Sequence, residues 1–541
     1  MERIGTPQND VVEDFSTACQ RGRAQTMTVA PSSRTHLAAC GACLIVALFA
    51  LWNLRTWPSR ITYPGDRNSG VEGIVLAETL DLRAGVPIYS ADTSGGFHAS
   101  AYGPLHYLLG SRLIDPTHPG YLGFRILGAL TTLGSAAACG VLAFWVSGSW
   151  LGAVLAPLIY LSFAVVSQFD VTARSDSSAL LLSFAAFLVG YRFRKCRLLL
   201  LSVPFALASY FFKQQFVAGS AALFFYLLLE KRYRLAAEFA GLLALGWLGL
   251  MGLFEYAIFP GQNFARHYLT YIATTFSPEL FLVSLFFFVF LASIPYVVGW
   301  VYLREHHDWA LGCYMVCALV LFLVGFSRPG SDRNYFVDLD WITSCLVSAY
   351  VVEGIVNRRG LGSRFILLLA VLFCAQWFTR PETPRPIDFV DDRAIQDYLL
   401  ANFPPHAQGL SYCVGDLVRA GLDTPYTDLF LFSRLVERGV ISDARLVSQV
   451  RRHHFALIVL NFDPNQEKDQ ERMHFLLPEA VLAAVRERYR LRDTLSMPGP
   501  ERLRKLLDRF YVFVPRKESS ASEIQEPAAL PTPSAKSPVR R

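Results

Sequence analysis

Charge is scarce in this sequence. Asp, Glu, Lys and Arg make up 17% of its 541 residues, where a soluble domain carries about 25%. That shortage excludes an ordinary water-soluble globule of this size. An excess of one sign is also missing. The formal net charge is only +6, and the basic residues fall mainly at the ends of apolar runs, where they orient helices. No nucleic-acid partner is expected. The ten cysteines show no framework spacing, so no disulfide scaffold is expected. Cys40, Cys43, Cys139, Cys313, Cys317, Cys345 and Cys374 lie in apolar runs and read as small packing residues. Cys313 and Cys317 could share a helix face, but without a nearby His or second Cys pair they do not make a metal site. No cofactor is called for, and the need for a divalent cation stays open. A cleavable signal peptide is not expected either: residues 1–35 are polar and the first apolar run begins late.

What is present is apolar. Hydrophobic residues make up 53% of the chain, with 41 Phe, and the mean hydropathy is +0.33. Charge concentrates in residues 1–35, in short clusters between apolar runs, and after Thr379. The expected architecture is an α-helical polytopic membrane protein with one soluble appendage. We read about eleven crossings, several of them shorter than the ~20 residues that a straight span needs. They are 37–55, 121–146, 149–168, 178–191, 198–212, 215–229, 235–257, 279–303, 309–326, 336–356 and 365–379.

Orientation follows from the basic clusters YRFRKCR (191–197), EKRYR (230–234), LREHH (303–307) and NRRGLGSR (357–364). They fall in alternate loops, and the positive-inside rule places them in the cytoplasm. The N-terminus, with Arg21, Arg23 and Arg34, is then also inside, and an odd number of crossings sends the C-terminal region outside. The segments left for the outer face are the long loop 57–120, QFDVTARSD (168–176), KQQ (213–215), FPGQNFARHYLTY (259–271) and SRPGSDRNYFVD (327–338). Nearly every unusual polar residue of the membrane region falls there. Ionisable groups near hydrocarbon are costly and are kept mostly where they bind or react. The pattern predicts a site at the outer membrane interface.

The first outer loop has structure of its own. GIVLAETLDLRAG (73–85) has apolar residues at helical spacing with Gly85 as a stop, and suits a helix lying along the interface. YGPLHYLLGSRL (102–113) reads as a second short helix with Pro104 near its start. Residues 381–515 read as a small α/β domain. Its expected helices are 392–403 and 444–455, and its expected strands 455–462 and 509–515. The tail 516–541 reads as disordered.

Acids and bases gather on the outer segments. YPGDRNSGVEG (63–73) holds Asp66, Arg67 and Glu72. Arg174 and Asp176 stand at a helix start, where Ser175 or Asp176 would also serve as an N-cap. Lys213 suits either an interfacial anchor or a phosphate contact. Arg328, Arg333 and Asn334 add reach, and Asp338 lies one turn on from Asn334. Basic groups suit a phosphate leaving group, and a carboxylate suits a base that deprotonates an attacking hydroxyl. A lipid-linked phosphosugar, with its tail in the bilayer and its head at the surface, needs such a site.

The chain resembles the membrane-embedded GT-C glycosyltransferases, which include the protein mannosyltransferases and the aminoarabinose transferases of lipid A. It looks most like bacterial membrane proteins of mannosyltransferase type. The motifs are GVEG (70–73), GVPIY (85–89), YGPLHY (102–107) with Tyr102 and His106, Arg174-x-Asp176, Lys213-Gln214, and Asn334-Tyr335 with Asp338. The resemblance spans about residues 37–380 and implies a polyprenyl-phosphate sugar donor, inversion at the anomeric carbon, and a first-loop carboxylate as base. It puts Glu72 in that role, with Asp66 as the alternative, and Arg174, Asp176, Lys213, Gln214, Arg333, Asn334, Tyr335, Asp338, Tyr102 and His106 in the substrate site. The acceptor would be a hydroxyl of a glycan, lipid or protein. Three departures stand out: Val71-Glu72 replaces an Asp-Glu pair, YGPL replaces Y-P-P-L, and Asp338 replaces a late Glu. A flippase of a lipid-linked glycan is the competing class and would carry charges near mid-membrane. A sensor with a mere anchor would not need so many crossings.

Overall fold

The computed structural model describes residues 33–67, 70–90, 95–100, 102–271, 275–356, 360–376, 383–466, 477–496 and 509–516. The expectations for residues 1–32 and for the tail beyond 516 fall outside the described residues. Helices dominate, because in hydrocarbon a helix satisfies its backbone groups within one segment. The first, α1 (Ser33–Thr62), covers the first expected crossing, and the first loop carries α2 (Val71–Arg83), the antiparallel pair β1 (Tyr89–Ser90) and β2 (His98–Ala99), and α3 (Pro104–Leu113). Then follow α4 (Leu122–Ser147), α5 (Trp150–Ser162), α6 (Ala164–Phe169), α7 (Asp176–Arg192), α8 (Val203–Phe212), α9 (Ala218–Leu229) and α10 (Tyr233–Leu253). After them come α11 (Pro278–Phe287), α12 (Ser293–His306), α13 (Trp309–Phe326), α14 (Phe336–Val356) and α15 (Gly360–Gln376). Within the described residues each segment read as a crossing is mainly helical, with a break at Phe163.

Among the described residues, 6 helices are long and apolar enough to cross a membrane; Trp150–Ser162, Arg197–Phe212 and Ala218–Leu229 are apolar but shorter. Large apolar side chains stand exposed around this bundle, among them Trp150, Leu245 and Leu282, as contact with lipid requires. The centre of the bundle is α14. Its Trp341 is fully buried, stacked on Phe184 at 4.2 Å between ring centroids, and its Nε1 donates to the Ser135 carbonyl at 2.9 Å.

Three basic clusters meet at one end. Arg194 pairs with Asp308 at 3.4 Å, the Tyr191 hydroxyl donates to the same carboxylate at 2.8 Å, and Arg232 donates to the Arg194 carbonyl. His306 lies 3.1 Å from Glu353 at the end of α14.

The C-terminal region contains α16 (Pro386–Asn402), β3 (Gly409–Ser411), α17 (Val414–Arg419), α18 (Leu429–Glu437), α19 (Ala444–Arg451), β4 (Leu457–Leu460), α20 (Glu479–Arg488), β5 (Tyr489–Ser496) and β6 (Arg509–Pro515). The sheet order is β3-β4-β6-β5; β3 and β4 are parallel and the other pairs antiparallel. The expected helix 392–403 starts earlier, at Pro386, because proline suits a first helical position and the Asp388 side chain accepts the Arg385 amide. The expected helix 444–455 ends at Arg451, where His453 adopts a φ of 56°. Phe97 of the first loop is buried in this region's core beside Phe432, and its amide and carbonyl pair with Pro425 O and Thr427 N.

Candidate active site

The segments expected on the outer face converge. Glu72, in the first turn of α2, is fully buried. Its carboxylate takes a two-pronged hold from Arg125 of α4, through Nε at 3.1 Å and a terminal nitrogen at 2.6 Å. It also accepts the Arg67 amide at 2.8 Å and the Ala173 amide at 2.7 Å. Burial alone would raise this carboxyl. Arg125 outweighs it, with help from Arg67 and the Ala173 amide, and holds Glu72 below its ordinary pKa. Four donors on an enclosed carboxylate tie the first loop to segment 168–176. They leave little room for an incoming hydroxyl proton.

Asp66 is placed differently. It is half-buried, and its Oδ2 accepts the Gly73 amide at 2.6 Å. It therefore sits one residue along from the Glu72 anchor, on a loop with access to water. Arg125 also donates to the carbonyls of Tyr63 and Gly65, so one buried guanidinium shapes the whole turn.

On the other side of the Glu72–Ala173 bond lies a second cluster. Ser175 occupies the N-cap position of α7 but makes no side-chain cap bond. Asp176 is not spent on capping: it receives Lys213 Nζ at 2.7 Å, Arg174 Nε at 3.0 Å and the Asn334 amide. Arg174 also reaches Asp332 at 3.4 Å. Lys213 stands 4.9 Å from the centre of the Tyr102 ring. Tyr102 and His106 rings lie 6.0 Å apart, and His106 Nε2 is 3.0 Å from the Ala173 carbonyl. Burial keeps His106 neutral, its pKa down at about 4. Lys and Arg carry more donors than these partners take, so the cluster can turn donors toward an anion.

The remaining expected residues are near but not joined to it. Gln214 donates to the Tyr268 carbonyl at 2.9 Å and ties in segment 259–271. Arg333 is half-buried, its guanidinium 5.9 Å from the Phe287 ring centre. Tyr335 packs over Gly325. Asp338 receives the Tyr314 hydroxyl at 2.9 Å and so faces α13 rather than the Asn334–Asp176 contact.

Several members were not singled out from sequence. Arg125 is the main one, and its signal was visible: a lone charge near the start of an apolar run. Asp332 completes the Arg174 contacts. Arg60, Asn53 and Trp57 converge on Asp170 at 2.6, 2.9 and 2.9 Å, pinning the end of α1 to the segment leading into α7.

The chain shares its fold with ArnT from Cupriavidus metallidurans. Against the apo form the TM-score is 0.54 at 12% identity, covering 86% of this chain and 97% of that one. Against ArnT bound to undecaprenyl phosphate it is 0.52 at 12% identity, covering 89% and 99%. At that identity the likeness speaks to the fold, a GT-C-like helical membrane fold with a small sheet-containing C-terminal region. No protein-family model and no curated protein sequence matches this chain.

Proposed function

We propose that this protein is an integral membrane glycosyltransferase that moves a sugar from a polyprenyl-phosphate carrier to an acceptor hydroxyl on a glycan, lipid or protein. One observation carries the reading. Arg174, Lys213, Asp176 and Asn334, from three separate segments, form a buried polar cluster joined through Ala173 to the carboxylate-bearing first loop. That arrangement offers cations for a phosphate on a segment that Glu72 ties to the loop carrying Asp66. ArnT, which has the same fold, has been crystallised with undecaprenyl phosphate, a lipid of the class proposed here.

In this reading Arg174 and Lys213 hold the phosphate that joins lipid to sugar. The anion competes with Asp332 for Arg174. Asp66 accepts the proton of the acceptor hydroxyl as its oxygen attacks the anomeric carbon. The bond from that carbon to the phosphate oxygen breaks, the configuration inverts, and polyprenyl phosphate leaves as an anion on the same cations. Glu72 positions the loop, and Asp66 does the proton chemistry; the enclosure of Glu72 favours this division over the reverse. The site faces the periplasm of a bacterial inner membrane, opposite the end where Arg194, Arg232 and Asp308 meet. Mid-span charges would favour a flippase; the ion pairs named above lie near helix ends.

The test is mass spectrometry of cell-envelope glycans in cells with and without the gene. Loss of one sugar residue, restored by the wild-type gene and not by Asp66→Asn, supports the reading. Identical glycans in both strains overturn it.

A further inference from the structure

The C-terminal region meets the first loop on glycines. A Cβ built on Gly73 would lie 2.6 Å from the Gly415 amide nitrogen. A Cβ on Gly415 would lie 2.7 Å from Gly73 Cα and 2.1 Å from the Tyr121 hydroxyl. Neither position has room for a side chain. Gly70, with a φ of 92°, presses on the Tyr412 carbonyl in the same way, 2.9 Å from where its Cβ would be. Residues 63–67 and 70–73 thus lie between two bodies. On one side Arg125 of α4 holds the Tyr63 and Gly65 carbonyls and Glu72. On the other side are Phe389, whose ring centre is 5.2 Å from that of Tyr63, then Tyr412 and Gly415. Arg419 braces this second side by a two-pronged bond to Asp392, at 2.8 and 2.7 Å.

The Gly73 amide is the group that donates to Asp66. Backbone contact at Gly415 therefore sets where that donor sits, and so where the carboxylate points. We infer that Gly415 and Gly73 are positioning residues, through which the C-terminal region docks on α2 and aims Asp66. The region would then be a working wall of the transfer site. The inference rests on Asp66 being the base.

Adding a methyl group at Gly415 forces Gly73 back by a large fraction of an ångström, and a shift of about 1 Å can cost about 100-fold in rate. The donor cluster keeps its own contacts among Asp176, Lys213, Arg174, Asn334 and Asp332, so lipid affinity should change little. The test compares full-length wild type, Gly415→Ala, Gly415→Ala with Tyr121→Phe, and Asp66→Asn. Two quantities are read: the rate at which the glycan product returns in a strain lacking the gene, and binding of undecaprenyl phosphate by the purified protein. Tyr121→Phe relieves the hydroxyl clash but not the clash with Gly73. Both Gly415 variants should lose tenfold or more in rate per lipid-binding site, with the Kd for undecaprenyl phosphate within about twofold of wild type. A wild-type rate in the double variant, while Asp66→Asn is inactive, overturns the positioning role alone. Loss of lipid binding in both Gly415 variants also overturns it, since the damage is then general. An active Asp66→Asn removes the base assignment, and this inference with it.

Discussion

Glu72→Gln separates the two candidate bases of the first loop, Glu72 and Asp66. In the structure this substitution keeps the shape of the side chain but removes a fully buried charge opposite Arg125. The amide nitrogen would face Arg125 and either the Arg67 or the Ala173 amide, all of them donors. Breaking one side of a buried pair costs about 3–5 kcal/mol, because the partner stays buried and unpaired. Here Arg125 keeps the Tyr63 and Gly65 carbonyls, so the lower half of that range is expected. Thermal unfolding in detergent should show a drop on the order of 3 °C. Glu72→Leu combined with Arg125→Met should be less damaging than the sum of the two single changes, the signature of a buried pair. Asp66→Asn should leave the midpoint close to wild type while abolishing transfer. The reasoning fails if Glu72→Gln unfolds like wild type and yet loses all transfer. Glu72 would then be the base, and its enclosure a resting state.

Lys213→Ala should weaken binding of undecaprenyl phosphate about tenfold or more, roughly 1.4 kcal/mol, and calorimetric titration of the purified protein checks it. Asp170→Asn leaves Arg60, Asn53 and Trp57 facing a poorer acceptor and should lower the unfolding midpoint without changing affinity for that lipid. Burial pushes the Asp416 carboxyl up to about 7, with Asp392 and Asp66 adding to the rise and Arg419 opposing it. An acid raised in the folded state stabilises most while protonated, so its contribution falls as pH climbs from about 4 through 7. Asp416→Asn should therefore raise the midpoint relative to wild type more at pH 8 than at pH 5; equal shifts at both values refute the argument.

The helices were legible because apolar runs between basic clusters leave little choice in a membrane. The convergence of distant segments was legible for a related reason: polar groups beside hydrocarbon need partners, and Asp176 found Lys213, Arg174 and Asn334. The division of labour proposed for Glu72 and Asp66 was not. It depends on Arg125, which sequence alone presents as one charge inside an apolar helix, and on backbone amides at Arg67, Ala173 and Gly73 that carry no sequence signal. The seating of the C-terminal region on Gly70 and Gly73 was hidden too. Glycines in a loop read as turn residues, and only the facing backbone shows that they are contacts.

The central claim is that cations of the Arg174–Lys213 cluster hold the lipid phosphate beside the first loop. A structure of the protein with undecaprenyl phosphate tests it most directly. The account predicts the phosphorus density within hydrogen-bonding reach of Lys213 Nζ and the Arg174 guanidinium, with Asp332 displaced from Arg174. Phosphate density at the opposite end, among Arg194 and Arg232, would contradict it.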